Sequence, residues 1–303
     1  MVELTDFQKE ISSALPHISM KIYEPMARHT SFRIGGEVEA MAFPKTAQEL
    51  SQLLQVSARL DTQPAILGAG TNVLAPDAGM RGLVICLKDC MDGMELLEGN
   101  RIRVMAGVTM TRAAIFAANH GLSGLEFAHG IPGTVGGGVY MNAGAYGGEI
   151  CQVCESVRVM TMAGEEKELS AQQMGFSYRH SILEEQPGIV ISAVFALQPK
   201  AENEIRDRMK ELMGKRSASQ PLDLPSAGSA FKRPVGGYAA ALIDQAGLKG
   251  FAVGGAAVST KHAGFVVNTG GATAEDVKML LHAVADRVYE ASGIQLEPEV
   301  RIW

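Results

Sequence analysis

The sequence has little that could hold a chain together apart from its own apolar core. Its 303 residues include only four cysteines and one tryptophan, and no apolar run approaches the roughly 18 residues that a membrane-spanning helix needs. Hydrophobic residues make up 47% and charged residues 20%, which is the balance of a globular chain and not of a disordered one. We expect two or three modules that fold without disulfides.

The sequence also lacks the basic clusters with which proteins neutralise nucleic-acid phosphates. Lys and Arg number 27 against 33 Asp and Glu, so the formal net charge is −6 and we expect no nucleic-acid partner. Glu3 and Asp6 stand where a secretory signal carries basic residues, which predicts a cytoplasmic protein with no membrane segment. A local anion site is compatible with this charge, because backbone N–H groups and single arginines bind anions.

The four cysteines do not form a metal or redox motif. Cys86 and Cys90 lie in one segment, and Cys151 and Cys154 form a single C-x-x-C. A zinc site would need a second pair or histidines at ligand spacing, and a redox motif would need a helix start after a strand. The histidines, His129 and His262 among them, form no ligand-spaced cluster either. We therefore expect packed thiols and no metal, and the role of Cys151 and Cys154 stays open.

Helical and strand patterns alternate along the chain, which predicts an α+β or α/β protein. A capping box at Thr46 opens a helix to about Leu60, and another helix runs from Thr109 to His120. A charged helix over Glu202–Lys215 follows a predicted boundary near residue 200. Further predicted helices are Tyr238–Gln245 and Thr273–Ser292, the latter with an apolar core stripe. Predicted strands are Ala65–Leu67, Leu83–Ile85, Arg101–Met105, Val157–Met162, Ile189–Leu197, Phe265–Val267 and Glu299–Trp303.

Two glycine-rich segments indicate close approach of the backbone to a ligand. Gly68–Val73 begins like a dinucleotide fingerprint, but Val73 replaces the third glycine and no helix start follows, which disfavours a Rossmann fold. Its N–H groups suit a pyrophosphate nest, although the segment by itself also fits a plain tight turn. Gly130–Gly138 has too many glycines for a helix interior, and we expect a long loop there.

Read together, several segments resemble the UDP-N-acetylenolpyruvoylglucosamine reductases, within the vanillyl-alcohol-oxidase-type flavoproteins. The resemblance covers about residues 20 to 302, and the Gly130–Gly148 segment is the most distinctive part. The other segments, in family order, are Thr30–Gly36, Gly68–Leu74, Tyr178–Ser181, Ala227–Pro234, Lys261–Phe265 and Leu296–Arg301.

The resemblance implies an α+β fold with an FAD-binding domain of the vanillyl-alcohol-oxidase (PCMH) type in two subdomains. We expect the first subdomain over residues 1–85, joined by a C-terminal strand at 296–303, and the second over 86–200. A C-terminal α+β substrate-binding domain is expected over 205–293. The absence of an extra tyrosine loop after Arg179 places the chain in the shorter subclass of the family.

The implied activity is reduction of the enolpyruvyl ether of UDP-N-acetylglucosamine to UDP-N-acetylmuramate, in the synthesis of peptidoglycan precursors. Hydride passes from NADPH to non-covalently bound FAD, then from flavin N5 to the enolpyruvyl methylene carbon, and a serine protonates the adjacent carbon. The expected partners are the UDP-sugar and NADPH, with no nucleic acid and no membrane, and the expected state is a monomer.

By the same resemblance, three residues are catalytic: Arg179 holds the substrate carboxylate, Ser229 is the general acid at carbon, and Glu299 completes the site. Tyr178, Lys232 and His262 are implied to bind substrate. The residues implied to bind FAD are Arg33, Gly68, Ala69, Gly70, Thr71, Asn72, Val73, Gly130, Pro132, Gly133, Thr134, Gly136, Gly137, Asn142, Ala143 and Gly144.

Elementary chemistry agrees with the roles of Arg179 and Ser229. Hydride addition creates an enolate-like dianion, and a guanidinium binds a carboxylate in two-pronged geometry better than an ammonium does. Ser229 can donate a proton only if its surroundings stabilise the alkoxide that remains. Two alternatives stay open: another FAD oxidoreductase of this superfamily acting on an alcohol or lactone, and a non-catalytic flavin or nucleotide-sugar sensor.

Overall fold

A computed structural model describes residues 4–303. Its α-helices are α1 Asp6–Ala14, α2 Ala47–Arg59, α3 Met110–Asn119, α4 Val135–Tyr140, α5 Glu202–Ser219, α6 Ala239–Gln245 and α7 Ala274–Ser292. Its strands are β1 Ser19–Pro25, β2 Glu37–Phe43, β3 Ala65–Leu67, β4 Val73–Leu74, β5 Met80–Cys86, β6 Met94–Leu97, β7 Arg101–Met105, β8 Leu122–Ser123, β9 Gly144–Ala145, β10 Gly148–Glu149, β11 Cys154–Thr161, β12 Glu166–Ser170, β13 Gly188–Ala196, β14 Gln198–Pro199, β15 Ser226–Ser229, β16 Ala252–Val253, β17 Ala256–Val258, β18 Phe265–Asn268 and β19 Arg301–Ile302.

The helix ends follow the signals in the sequence. The Thr46 hydroxyl accepts a hydrogen bond from the N–H of Glu49, and Thr273 opens α7 with a complete capping box. At the other end of α7, Gly293 has φ +70°, the left-handed conformation that ends helices. One detail of the first box differs from the prediction: the Glu49 carboxylate accepts from the N–H of Lys45 and not of Thr46.

The chain divides into two compact units. Within the described residues, the first comprises 4–23, Glu39–Ala69 and Arg81–Gly214. It contains an antiparallel sheet of order β12-β11-β13-β7-β6, and most of a sheet of order β1-β2-β5-β3 in which β3 and β5 are parallel. Side chains of α2, α3, β7 and β13 are buried in one continuous apolar core.

The glycine-rich loop predicted over Gly130–Gly138 is wrong in its second half, where α4 runs from Val135 to Tyr140. The glycines are tolerated because the helix packs too closely for side chains. A Cβ on Gly136 would lie 2.9 Å from the Cβ of Ala106, and one on Gly138 would lie 2.8 Å from the sulfur of Met110. Close packing therefore outweighs the low helix propensity of glycine.

The second unit comprises Glu24–Val38, Gly70–Met80 and Lys215–Trp303. Its antiparallel sheet has the order β15-β18-β17-β16, and α7 buries its predicted apolar stripe in the core of this unit. The C-terminal strand is shorter than predicted, Arg301–Ile302, and it pairs in parallel with β4. The carboxylate of Asp77 accepts from the N–H of Ala274 at the start of α7.

The three-part division into residues 1–85, 86–200 and 205–293 stays a prediction. Helix α1, which the sequence analysis did not predict, begins with a capping box between Thr5 and Gln8. The predicted charged helix continues beyond Lys215 to Ser219. None of the helices within residues 4–303 combines the length and the apolar character needed to cross a membrane.

Candidate active site

In the first unit, the predicted cofactor segments approach one another closely at Gly68 and Thr134. A Cβ on Gly68 would lie 2.5 Å from the hydroxyl oxygen of Thr134, so only glycine fits at this position. Thr134 is buried, and its hydroxyl accepts from the N–H of Gly137 at 3.4 Å. Residues 4–303 provide no acceptor for the N–H groups of Ala69, Gly133 and Thr134. These backbone donors suit an anionic group such as a pyrophosphate.

The segment after α4 forms a tight hairpin. Strands β9 and β10 pair Gly144 with Glu149, and the two turn residues, Tyr146 and Gly147, both have positive φ, at 54° and 84°. This is the geometry of a type I′ turn, which matches the twist of its strands. A Cβ on Gly144 would lie 2.6 Å from Cγ of Glu149, so the Glu149 side chain lies over a position that has to be glycine.

Tyr178 and Arg179 occupy the tip of a second turn in the first unit. Ser177 and His180 exchange backbone hydrogen bonds of 3.2 Å, and Arg179 has φ +56°. The guanidinium lies 5.1 Å from the centre of the Tyr178 ring, and its Nη2 donates to the carbonyl oxygen of Gly144 at 3.5 Å. A predicted substrate-binding arginine thus contacts the predicted cofactor segment.

In the second unit, Gly70 and Arg33 belong to two segments that contact each other. Gly70 has φ +61°, and a Cβ there would lie 2.0 Å from the carbonyl oxygen of His29. The Ser31 N–H donates to the carbonyl oxygen of Gly70, and its hydroxyl donates to that of Ser226. Arg33 is exposed, with φ +56°, in a turn fixed by the Thr30 hydroxyl.

Ser229 and Glu299 are brought together in the second unit. Ser229 ends β15 at an irregularity where Gly228 has φ +79°, and its side chain is exposed. Its neighbour Ala230 accepts from the N–H of Glu299 at 2.9 Å. The Asn72 side chain donates to the carbonyl oxygen of Glu299 at 3.1 Å. The Glu299 peptide is therefore held on both sides, next to the predicted acid.

Lys232 and His262 flank this arrangement. Lys232 donates its backbone N–H to the carbonyl oxygen of Glu297 and its ammonium to the Glu297 carboxylate at 2.5 Å. The ring of His262 meets Phe265 edge-on, and its Nδ1 accepts from the N–H of Gly264. Burial lowers the pKa of His262, so the ring is neutral at pH 7 and acts as a hydrogen-bonding group.

The cysteines are free thiols and protonated at neutral pH. Burial raises the pKa of Cys86 to about 11 and that of Cys154 to about 12, and it also raises the pKa of Cys90 and Cys151. Burial lowers the pKa of His129. Across residues 4–303, no cluster of three or more His, Cys, Asp or Glu side chains could hold a metal ion.

Two residues of the first unit were missed by the sequence analysis. The Glu149 carboxylate accepts from the Asn142 amide at 3.1 Å, and the buried Ser181 hydroxyl donates to the carbonyl oxygen of Tyr140 at 2.6 Å. Glu149 directly follows the glycine-rich segment Gly130–Gly148, and Ser181 is the last residue of the Tyr178–Ser181 motif. Their positions gave a signal, but nothing in the sequence identified their partners.

The chain is similar to known proteins over nearly its whole length. A family model for the C-terminal domain of UDP-N-acetylenolpyruvoylglucosamine reductase matches residues 220–303, and a model for an FAD binding domain matches residues 38–170. The UDP-N-acetylenolpyruvoylglucosamine reductase of Lactobacillus acidophilus is 48% identical over 94% of this chain and 95% of its own length. That of Caldanaerobacter subterraneus is 45% identical over 99% and 97%.

Solved structures give the same result. The crystal structure of UDP-N-acetylenolpyruvylglucosamine reductase from Thermus caldophilus matches with a TM-score of 0.79 and 35% identity, covering 95% of this chain and 99% of that one. A xylooligosaccharide oxidase from Myceliophthora thermophila matches in fold alone, with a TM-score of 0.50, 16% identity and coverage of 64% and 43%. The predicted α+β flavoprotein fold is confirmed, and the chain belongs to the UDP-N-acetylenolpyruvoylglucosamine reductase family.

Proposed function

We propose that this protein reduces the enolpyruvyl ether of UDP-N-acetylglucosamine to UDP-N-acetylmuramate, with FAD as cofactor and NADPH as electron donor. The observation that carries the proposal is membership of the reductase family over nearly the whole chain. The placement of Ser229 next to the doubly held Glu299 peptide supports it independently.

The residues present fit FAD. Gly68 and Gly70 let their segments pack directly against Thr134 and His29, where a Cβ would clash. The N–H groups of Ala69, Gly133 and Thr134, for which residues 4–303 provide no acceptor, can bind phosphate oxygens. We assign the cofactor to the residues named by the sequence analysis, from Arg33 to Gly144. When bound, FAD supplies the hydride that it has received from NADPH.

The chain's own residues then stabilise the developing negative charge and supply the proton. Arg179 holds the substrate carboxylate and stabilises the dianion that develops there, because its fork of N–H donors matches two carboxylate oxygens. Ser229 donates its hydroxyl proton to the enolpyruvyl carbon next to the one that accepts hydride. Glu299 orients that serine or shares its proton. We assign substrate binding to Tyr178, Lys232 and His262.

The remaining expectations, a cytoplasmic monomer with no nucleic-acid or membrane partner, stay predictions. One assay tests the proposed function against its alternatives. Oxidation of NADPH should require the enolpyruvyl UDP-sugar, and the FAD should be released intact by acid because it is not covalently attached. A superfamily oxidase would instead reduce its flavin with a hydroxylated substrate and without NADPH. A sensor would bind the UDP-sugar and turn nothing over.

A further inference from the structure

The turn that carries Arg179 has to be held in place by its surroundings. Arg179 has φ +56°, a conformation that costs free energy for a residue with a long side chain. Reciprocal hydrogen bonds between Ser177 and His180 hold the turn from within. An arginine that must meet a substrate carboxylate within a fraction of an ångström requires a more rigid support than one exposed turn.

The side chain of Asn142 supplies such a support. It is 1% exposed, and its Nδ2 donates to the carbonyl oxygen of Ser177 at 3.0 Å and to the Glu149 carboxylate at 3.1 Å. Its Oδ1 accepts from the N–H of Cys151 at 2.9 Å, which fixes the orientation of the amide. These partners use both amide N–H groups. The Ser177 carbonyl, which accepts one of them, lies two residues before Arg179 in the chain.

Glu149 holds the amide from the other side. Its side chain packs over Gly144, and its carboxylate directs one Asn142 N–H away from Ser177, so the other N–H is left for the Ser177 carbonyl. The Gly144 carbonyl in turn accepts from Nη2 of Arg179 at 3.5 Å. The hairpin of β9 and β10 therefore contacts the guanidinium of Arg179 directly through Gly144, and it supports the backbone of the turn indirectly, through the Asn142 amide that Glu149 holds.

The far end of the turn is tied to the same helix. Ser181 is fully buried, and its hydroxyl donates to the carbonyl oxygen of Tyr140 in the last turn of α4. Asn142 follows that helix with φ +44°, the left-handed conformation that asparagine and glycine adopt most readily at a helix end. One helix end thus anchors the turn before Tyr178 and after His180.

We infer that Asn142, held by Glu149, is a positioning residue that sets Arg179 for the substrate carboxylate. Ser181 contributes the second anchor. The inference rests on the proposed function of Arg179, and it gives the Asn142 amide a task other than contacting the cofactor. The glycine-rich segment then has two uses: its backbone serves the cofactor and its asparagine serves the substrate-binding arginine.

The test compares Asn142→Gly, Asn142→Ala and Ser181→Ala with Ser51→Ala as the matched control. Glycine keeps the left-handed backbone and removes only the amide, whereas alanine also strains the backbone. The Ser51 hydroxyl donates to the carbonyl oxygen of Gly164 at 2.9 Å, a bond of the same kind in the same unit. All four are measured as FAD-loaded full-length chains with NADPH and the enolpyruvyl UDP-sugar.

For Asn142→Gly we expect unchanged FAD content and a kcat/KM for the UDP-sugar about 10- to 100-fold lower. The double variant with Arg179→Lys should be no slower than Arg179→Lys alone, because both changes act on one group. Hydrogen exchange at the His180 amide should be about 5- to 10-fold faster than in the wild type and in Ser51→Ala. Ser181→Ala should likewise lower kcat/KM for the UDP-sugar and make hydrogen exchange at the His180 amide faster.

Loss of FAD from Asn142→Gly would overturn the inference, since the amide would then serve the cofactor. Fully additive effects with Arg179→Lys, or unchanged exchange at His180, would also overturn it. Failure of the proposed function is distinguishable, because the wild-type chain itself would then not oxidise NADPH with the UDP-sugar, whereas the exchange measurement needs no turnover.

Discussion

Asn72 donates its side-chain amide to the carbonyl oxygen of Glu299 at 3.1 Å, across 227 positions of sequence. The two backbones are also joined there, since the N–H of Arg301 donates to the carbonyl oxygen of Asn72 and β19 pairs with β4. A residue predicted to bind FAD thereby fixes the backbone of a residue predicted to be catalytic. This contact lies entirely within the second unit.

Asn72→Ala should therefore reduce kcat, while it lowers the free energy of unfolding only slightly. Losing one hydrogen bond to a partly buried carbonyl costs about 1 kcal/mol of unfolding free energy, whereas a displaced Glu299 should reduce kcat about 10-fold. Steady-state kinetics at saturating FAD and urea denaturation measure the two effects. Asn119→Ala, which removes a surface partner of Arg206, is the control and should leave kcat unchanged.

Gly70→Ala should disrupt FAD binding more than left-handed backbone strain alone explains. A Cβ at Gly70 would lie 2.0 Å from the carbonyl oxygen of His29, so the Thr30–Gly36 segment would have to move. Gly247 has a similar φ of +69° with nothing within 4 Å of a Cβ. Gly247→Ala should lower the free energy of unfolding by about 1–2 kcal/mol and leave the FAD content unchanged. Equal FAD content in the two variants, measured from the flavin absorbance per chain, would contradict the clash.

The sequence was sufficient to predict the elements whose signals are local. The helix start at Thr46, the helix predicted over Thr273–Ser292 and its buried stripe depend on neighbouring residues, and all three were confirmed. Helix α4 was not predictable, because the packing of Gly136 against Ala106 joins residues 30 positions apart. Glu149 was missed for the same reason, since its importance depends on a side-chain contact with Asn142 and not on its residue type.

The hydrogen bond between His180 and Glu185 should stabilise the fold within a bounded pH range. It raises the pKa of His180 above 6.5 and lowers the pKa of Glu185 below 4.5. The histidine contribution is complete below about pH 6.5 and is lost as pH rises through the raised pKa. The carboxylate contribution is complete above about pH 4.5 and is lost as pH falls through the lowered pKa.

The difference in thermal midpoint between the wild type and His180→Gln should thus be largest between about pH 4.5 and 6.5 and shrink on both sides. Thermal denaturation monitored by circular dichroism across pH 3 to 9 measures it, at roughly constant ionic strength because the pair is exposed. Glu185→Gln should follow the same profile. A difference that does not vary with pH would show that the two side chains matter only through packing.

Arg179→Lys should lose much of its activity although it keeps the positive charge. A lysine ammonium can neither match both carboxylate oxygens nor stack over the Tyr178 ring in the same way. We expect kcat with the UDP-sugar to fall about 100-fold and FAD content to stay unchanged. Arg158→Lys, at an exposed ion pair with Glu166, is the control for an arginine change as such. Unchanged turnover in Arg179→Lys would assign the carboxylate to another cation.

Ser229→Ala should leave reduction of the flavin by NADPH nearly intact and slow reoxidation by the UDP-sugar about 100- to 10,000-fold, because protonation at carbon belongs only to the second half-reaction. Stopped-flow absorbance of the flavin follows the two halves separately. Ser229 is exposed at the end of β15, so the change should cost little stability. Ser229→Cys should retain more activity than Ser229→Ala, since a thiol can still donate a proton. If both half-reactions slow equally in Ser229→Ala, the serine binds or shapes the site, and the proton comes from another group.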